Sequence, residues 1–125
     1  MNALRAIHAV LVPGGVVVDT QPVSSRPVVE GAAGELGTLD MREWSELIRD
    51  IDGRVGEAAA AGLFAITHES EVTVTDDYDD GAEFVSTVSQ WLGTRIPAAL
   101  QRRAERERGA VQVHQRVRMR LLRRP

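Results

Sequence analysis

The N-terminal part of the chain alternates between short apolar stretches and breaks. Residues 2–12 carry apolar side chains at helical spacing, which predicts a helix of about three turns. Pro13-Gly14-Gly15 ends that helix, because proline cannot continue the hydrogen-bond ladder and glycine accepts positive φ. The run Val16-Val17-Val18 lacks polar alternation, which is typical of a strand covered on both faces. Residues 19–27 predict a loop, and residues 28–39 predict a loose hairpin or an irregular excursion.

The strongest helical pattern begins at Asp40 and ends at Gly62. The Asp40 carboxylate can accept from first-turn amides, and Glu43 follows at capping-box spacing. Gly62 suits the left-handed conformation that often ends a helix. The predicted buried stripe consists of Trp44, Leu47, Ile48, Ile51, Val55, Ala58 and Ala59.

A strand is predicted after this helix, over residues 63–75, because its second half alternates between apolar and polar residues. The acidic run at residues 76–80 predicts a turn, in which Asp80 and Glu83 repeat the capping-box spacing. The next helix has a predicted buried stripe of Phe84, Val85, Val88, Trp91 and Leu92.

The C-terminal part adds a short helix over residues 97–108 and an alternating stretch over residues 111–121. That alternation predicts a strand with one buried and one polar face. The order of elements is therefore helix, strand, helix, strand, helix, helix, strand. It predicts an α/β fold in three layers, with a mostly parallel sheet, a final antiparallel strand and helices on the faces.

Composition limits the classes of protein that fit this pattern. The 125 residues are enough for a single domain, residues 1–125, and 43% apolar with 26% charged residues is typical of a folded chain. The chain has no cysteine and three histidines, so neither a disulfide framework nor a zinc site is expected. No apolar run approaches a membrane span and no secretion signal is evident, so we expect a cytoplasmic, metal-independent protein without a membrane partner.

Charge is distributed unevenly. Residues 1–94 hold 5 basic and 16 acidic residues, residues 95–125 hold 10 basic and 2 acidic ones, and every basic residue is arginine. A basic segment of this kind can bind nucleic acid. Arg116, Arg118 and Arg120 share one strand face without interleaved aromatic residues, however, so we expect a solvated ladder paired with acidic helix residues rather than a nucleic-acid partner.

The segment from Ala3 to Asp19 reads as a helix, the motif Leu-x-Pro-Gly-Gly and a strand. It resembles class I S-adenosylmethionine-dependent methyltransferases, in which these are the helix before the fifth strand and the fifth strand itself. The helix that ends in Ala61-Gly62-Leu63-Phe64, the strand after it and the final strand over residues 111–122 fit the same resemblance. It covers essentially the whole chain and implies a partial Rossmann-like sheet.

In that family the cofactor site lies in the half that precedes this segment. The glycine-rich stretch between Gly31 and Gly37 contains Gly-x-x-Gly but no Gly-x-Gly-x-x-Gly, and is interpreted as a flexible connection. The resemblance thus implies a truncated, methyltransferase-like chain that is inactive alone: a remnant, or one half of a split enzyme. No cofactor is expected for this chain by itself, and S-adenosylmethionine only if a complementary half joins it. The alternative is a non-catalytic, self-associating interaction or scaffold module.

The resemblance also implies a substrate position above the carboxyl ends of parallel strands, at residues 19–21 and 76–78. Asp19, Gln21 and Tyr78 are the candidate catalytic residues of this rim. Asp19 has an alternative interpretation as a strand-end residue that accepts from local amides.

Three further side chains are expected to be structural. His68 lies in the second predicted strand without a nucleophile beside it and is expected at the core or its rim. Trp44 and Trp91 lie on helical stripes and are expected to anchor packing.

Self-association is expected from the truncation. Without earlier strands, Val16-Val17-Val18 would form an exposed apolar edge, which is a template for strand pairing. Two copies joined at this edge would make one continuous sheet in a homodimer and would bury Leu4, Ile7 and Leu11 against the partner.

Overall fold

A computed structural model describes residues 2–125 of the chain. Four helices and five strands follow one another in an order close to the one predicted from the sequence. They are α1 (Asn2–Val10), β1 (Val16–Pro22), β2 (Val28–Gly31), β3 (Gly34–Thr38), α2 (Arg42–Ala60), β4 (Ala65–Tyr78), α3 (Gly81–Val88), α4 (Ala98–Glu105) and β5 (Val111–Arg123).

The five strands form one sheet in which every pairing is antiparallel. The long strand β5 lies at its centre. β4 pairs with β5 along one side, β1 and β2 pair one after the other along the opposite side, and β3 pairs with β2. The prediction of a mostly parallel, Rossmann-like sheet is therefore wrong.

The prediction was wrong because a run of β-branched residues indicates a strand but not the direction in which it runs. Val16-Val17-Val18 does form a strand, but the run carries no information about strand direction. It also lies at the sheet boundary, with Val17 half-buried and Val16 and Val18 exposed, so it is not covered on both faces. β1 continues to Pro22, through residues that were predicted to be a loop.

The hairpin predicted within residues 28–39 is present as β2 and β3. Gly31 pairs with Gly34 across a two-residue turn, and Gly34 adopts a φ of 127°, which side chains rarely tolerate. The backbone amides of Met41 and Leu39 then donate to the carbonyls of Ser25 and Pro27, which holds the chain beside the sheet until α2 begins.

Two separate clusters of buried side chains stabilise this sheet. The first contains Val29, Leu39, Met41, Tyr78, Phe84, Val88, Leu100, Ala104, Val111 and Val113. The second contains Val55, Ala58, Phe64 and Leu122, with Leu4, Ile7, Leu11 and Val17 packed against it. The structure thus packs Leu4 and Ile7 of α1 and the following Leu11, which were predicted to meet a partner, against the chain's own second cluster.

The clusters lie on opposite faces of the sheet. Val111 and Val113 belong to the first cluster and Leu122 to the second, and residues an odd number of positions apart on a strand point to opposite faces. Helix α2 reaches both clusters, because Met41 at its start lies in the first and Val55 in the second. The single buried face predicted for β5 is therefore wrong, since the covered face changes along the strand.

Candidate interaction surfaces

The three predicted site residues do not form one site. Asp19 and Gln21 lie together within β1, where Asp19 pairs with Arg120 of β5. Tyr78 ends β4 opposite Val111, nine residues away from Arg120 along β5. At about 3.3 Å per residue this is a separation of roughly 30 Å. The structure therefore brings together no rim of the kind that the resemblance implied.

Asp19 is held in an ion pair. Its Oδ2 accepts from Arg120 Nε at 3.0 Å and from Nη2 at 2.7 Å, and its Oδ1 accepts from Gln21 at 3.1 Å. The side chains of Asp19 and Arg120 are only 14% and 7% exposed. A carboxylate that is bonded in this way is a structural counter-charge rather than a free base.

Arg118 and Arg120 share a second carboxylate, Asp52 of α2. Arg118 donates two hydrogen bonds to Asp52, at 3.0 and 2.7 Å, and Arg120 donates a third at 3.0 Å. The bonds from Arg118 hold the pKa of the Asp52 carboxyl below its usual value, against the opposing effect of burial. The solvated arginine ladder expected from the sequence is thus buried at these two positions, and only Arg116 is mostly exposed.

Tyr78 belongs to the first cluster. Its ring contacts Phe84 edge-on, with centroids 5.8 Å apart. Burial, with smaller contributions from Asp76 and Glu83, raises the pKa of Tyr78 to about 12. The phenol is therefore neutral at physiological pH and serves packing.

The histidines lie away from any cluster of metal ligands. His68 is exposed, not part of a core, and His114 contacts the Thr75 hydroxyl at 2.9 Å and Glu30 at 3.5 Å. Within residues 2–125, no group of three or more histidine or acidic side chains is arranged to hold a metal ion.

Trp44 and Trp91 pack against the first cluster, as expected for anchors. The indole N–H of Trp44 donates to the carbonyl of Pro22 at 3.1 Å. Both rings also line an open groove of about 460 Å³, together with Leu92 and Gln115.

A wide apolar area lies on the sheet where no helix covers it. The second cluster covers only the face of Val17 and Leu122, so the opposite face of β1, β5 and β4 is left open. We call this area the uncovered face. By strand register it consists of Val16, Val18, Thr20, Ser70, Val72, Val74, Val117, Met119 and Leu121. It is bordered at one end by Arg123 and His68, which lie on the same face opposite Val16 and Leu121.

None of the nine side chains inside this border carries a charge. Val18 is 54% exposed, Val72 46% and Met119 38%. Isolated exposed apolar residues are ordinary on protein surfaces, but adjoining ones on three neighbouring strands mark an interaction site.

The outer edge of β4 is a second open feature. All 14 residues of β4 lie beside β5 alone, and among residues 2–125 no backbone hydrogen bond joins β4 to another strand. Tyr78 is its one buried residue. The acidic side chains Glu69, Glu71 and Asp77 lie on one face, and Val72 and Val74 lie on the other.

Sequence reasoning missed both surfaces, although a signal was present. The alternating stretch Glu71-Val72-Thr73-Val74-Thr75 predicts a strand with two different faces, but not which face is covered. β4 also extends through Asp76 and Asp77 to Tyr78, residues interpreted as a turn, which lengthens the open edge beyond the predicted strand.

Comparison with protein-family models, with curated proteins and with solved structures finds no match. In the part of the chain that the structure describes, no helix has the length and apolar character needed to cross a lipid bilayer.

Proposed function

We propose that this chain is a non-catalytic interaction module that self-associates through its uncovered face. The observation that carries the proposal is the continuous set of exposed, uncharged apolar side chains on β1, β5 and β4. Removing such surface from water contributes about 25 cal/mol per Å². A partner that covers this face therefore gains free energy without having to desolvate a charge.

A second copy of the chain suits this face. A two-fold axis places the same patch on both sides of an interface, so the patch must be able to pack against a second copy of itself without clashes or like-charge contacts. The uncovered face meets this condition, because valine and methionine side chains pack against their own kind and no like charges meet. This geometry differs from the edge pairing through Val16-Val17-Val18 predicted from the sequence, which remains a prediction.

The chemistry of the other candidate residues supports a non-catalytic role. Asp19 and Asp52 are each bonded to arginine, and Tyr78 is a neutral core residue. The methyltransferase-like function stays an untested prediction. The sheet is antiparallel, so the rim at the carboxyl ends of parallel strands that such a function implies has no counterpart here.

Sedimentation velocity over a concentration series tests the proposal. We expect the wild-type chain to sediment as a dimer, and Met119→Glu to sediment as a monomer, because it places a charge at the centre of the uncovered face. Val12→Glu is the matched control, since Val12 is 70% exposed but lies in the connection between α1 and β1.

Circular dichroism should show that both variants are folded, as the substituted side chains are already exposed. A wild-type chain that remains monomeric at every concentration would contradict the proposal. A Met119→Glu variant that stays folded and dimeric would place the interface elsewhere.

A further inference from the structure

The open edge of β4 lacks most of the features by which proteins protect an edge strand. Such edges are usually short, or carry proline, lysine or a bulge. β4 has 14 residues with neither proline nor lysine, and its only irregularity lies between Ile66 and His68, near its start. The stretch from Glu69 to Asp77 is regular and pairs with β5 throughout.

The direction of the backbone groups on this edge follows from hydrogen bonds on the far side of β5. The backbone amide of Val23, just after β1, donates to the carbonyl of Arg116 at 2.8 Å, and the amide of Arg116 donates to the Ser24 hydroxyl at 2.9 Å. Both backbone groups of Arg116 therefore point toward β1 and away from β4.

In an antiparallel sheet, successive residues of a strand direct their backbone groups to opposite sides. Val117 therefore bonds to β4, and its partner Val72 bonds back to β5. Glu71 and Thr73, on either side of Val72, direct their N–H and C=O groups to the open edge. The outward N–H and C=O groups of this edge can therefore pair with one more strand.

The strand β5 shows which side chains suit β4. Arg118 lies opposite Glu71 and Arg120 opposite Glu69, while Val117 lies opposite Val72. Basic residues thus alternate with apolar ones, matching the acidic face and the apolar face of β4. Opposite charges on directly paired residues stabilise a sheet, and like charges destabilise it.

We propose that the open edge of β4 binds an extended peptide strand in which basic residues alternate with apolar residues. Backbone hydrogen bonds to Glu71 and Thr73 supply the pairing. The acidic row of Glu69, Glu71 and Asp77 selects basic partners; Glu71 and Asp77 already accept from Arg116 and Gln112 of β5, and each carboxylate can accept a further hydrogen bond. The edge shares the β4 side chains Ser70, Val72 and Val74 with the uncovered face. The proposal does not depend on self-association, however, because backbone pairing at Glu71 and Thr73 needs no second copy.

A peptide with the sequence of residues 115–123, Gln-Arg-Val-Arg-Met-Arg-Leu-Leu-Arg, is a suitable probe, because this stretch already pairs with β4 inside the fold. We expect binding to slow hydrogen exchange at the amides of Glu71 and Thr73, and to leave exchange at the already bonded amide of Val72 unchanged. The same peptide with every arginine replaced by glutamate should bind at least about tenfold more weakly.

Two variants at one position test the edge itself. Thr73→Pro removes an amide that points outward, so the ladder with β5 is kept, and we expect at least about tenfold weaker peptide binding. Thr73→Val keeps the amide and should bind within about twofold of wild type. Thermal unfolding verifies that both variants are folded.

Several results would overturn the proposal: unchanged peptide affinity in folded Thr73→Pro, equal affinity for the charge-reversed peptide, or no protection at Glu71 and Thr73. Loss of self-association in Thr73→Pro would also overturn the proposal, because it would show that a second copy of the chain pairs with this edge. Titrating the peptide into Met119→Glu separates the two surfaces. Binding retained in that variant supports the edge site even if self-association is absent.

Discussion

At the scale of single residues, three arginines with the same spacing and on the same strand have different environments. The side chain of Arg116 is 66% exposed, whereas those of Arg118 and Arg120 are 13% and 7% exposed. Helix α2 causes this difference, since it places Asp52 over the second half of β5 only. Alternation along β5 correctly groups the three arginines, but their burial depends on a helix that is distant in sequence.

Arg120→Ala should therefore lower the free energy of unfolding by about 3–5 kcal/mol, because it leaves Asp19 buried without its main counter-charge. Arg116→Ala makes the same chemical change on the same strand at an exposed ion pair, and should cost less than about 1 kcal/mol. Urea denaturation of the two variants measures both values. Similar losses in the two variants would contradict the burial that we assign to the network around Asp52.

At the scale of elements, two identical capping signals have different outcomes. The Asp80–Glu83 capping box is confirmed, as Asp80 accepts from the amide of Glu83 at 2.8 Å. At Asp40 the predicted bond to the first turn is present, as Oδ1 accepts from the amide of Arg42 at 3.1 Å, but Met41 rather than Asp40 is the N-cap of α2. Asp40 also exchanges backbone hydrogen bonds with Arg95, and this bridge holds it outside the helix.

The confirmed cap gives a prediction for α3. Asp80→Ala should lower the free energy of unfolding by about 1 kcal/mol, because the Glu83 amide loses its acceptor at the first turn. Asp79→Ala is the matched control: Asp79 is exposed and contributes only its backbone amide to the cap, so its removal should change little. Chemical denaturation measures both. If Asp79→Ala cost as much as Asp80→Ala, the negative charge near the start of α3, rather than the hydrogen bond from the Glu83 amide to Asp80, would be what stabilises the helix.

Most elements could be predicted from the sequence because their signals are local. The helical stripe of α2, the two-residue turn between β2 and β3, and the alternation in β5 all depend on neighbours within a few residues. Strand direction depends instead on which distant segment pairs with β5, and neither Val16-Val17-Val18 nor the stretch around Val72 encodes that choice locally. The prediction of a parallel sheet was wrong for this reason. The predicted rim of Asp19, Gln21 and Tyr78 depended on that sheet.

At the scale of the whole molecule, a central strand joins two cores that lie on opposite faces. Each half of the sheet has one face covered, by α3 and α4 in the first half and by α1 and α2 in the second. The open face of the first half carries half-buried polar residues such as Gln112 and His114, while that of the second half is the uncovered face. The apolar character of the uncovered face is therefore not a by-product of the fold, since the equivalent open area at the other end of β5 is polar.

Because β5 and α2 both extend through the two clusters, we expect the molecule to unfold as one unit. Leu122→Ala, in the second cluster, should cost about 2–5 kcal/mol and should lower the hydrogen-exchange protection of the Phe84 and Val88 amides in α3 by the same free energy. Leu92→Ala deletes the same atoms at a side chain that is 71% exposed and should leave that protection unchanged. If α3 kept its wild-type protection in Leu122→Ala while the amides of α2 near Val55 lost theirs, the two cores would be independent. The uncovered face, which is formed by strands of the second half, could then open without unfolding the first.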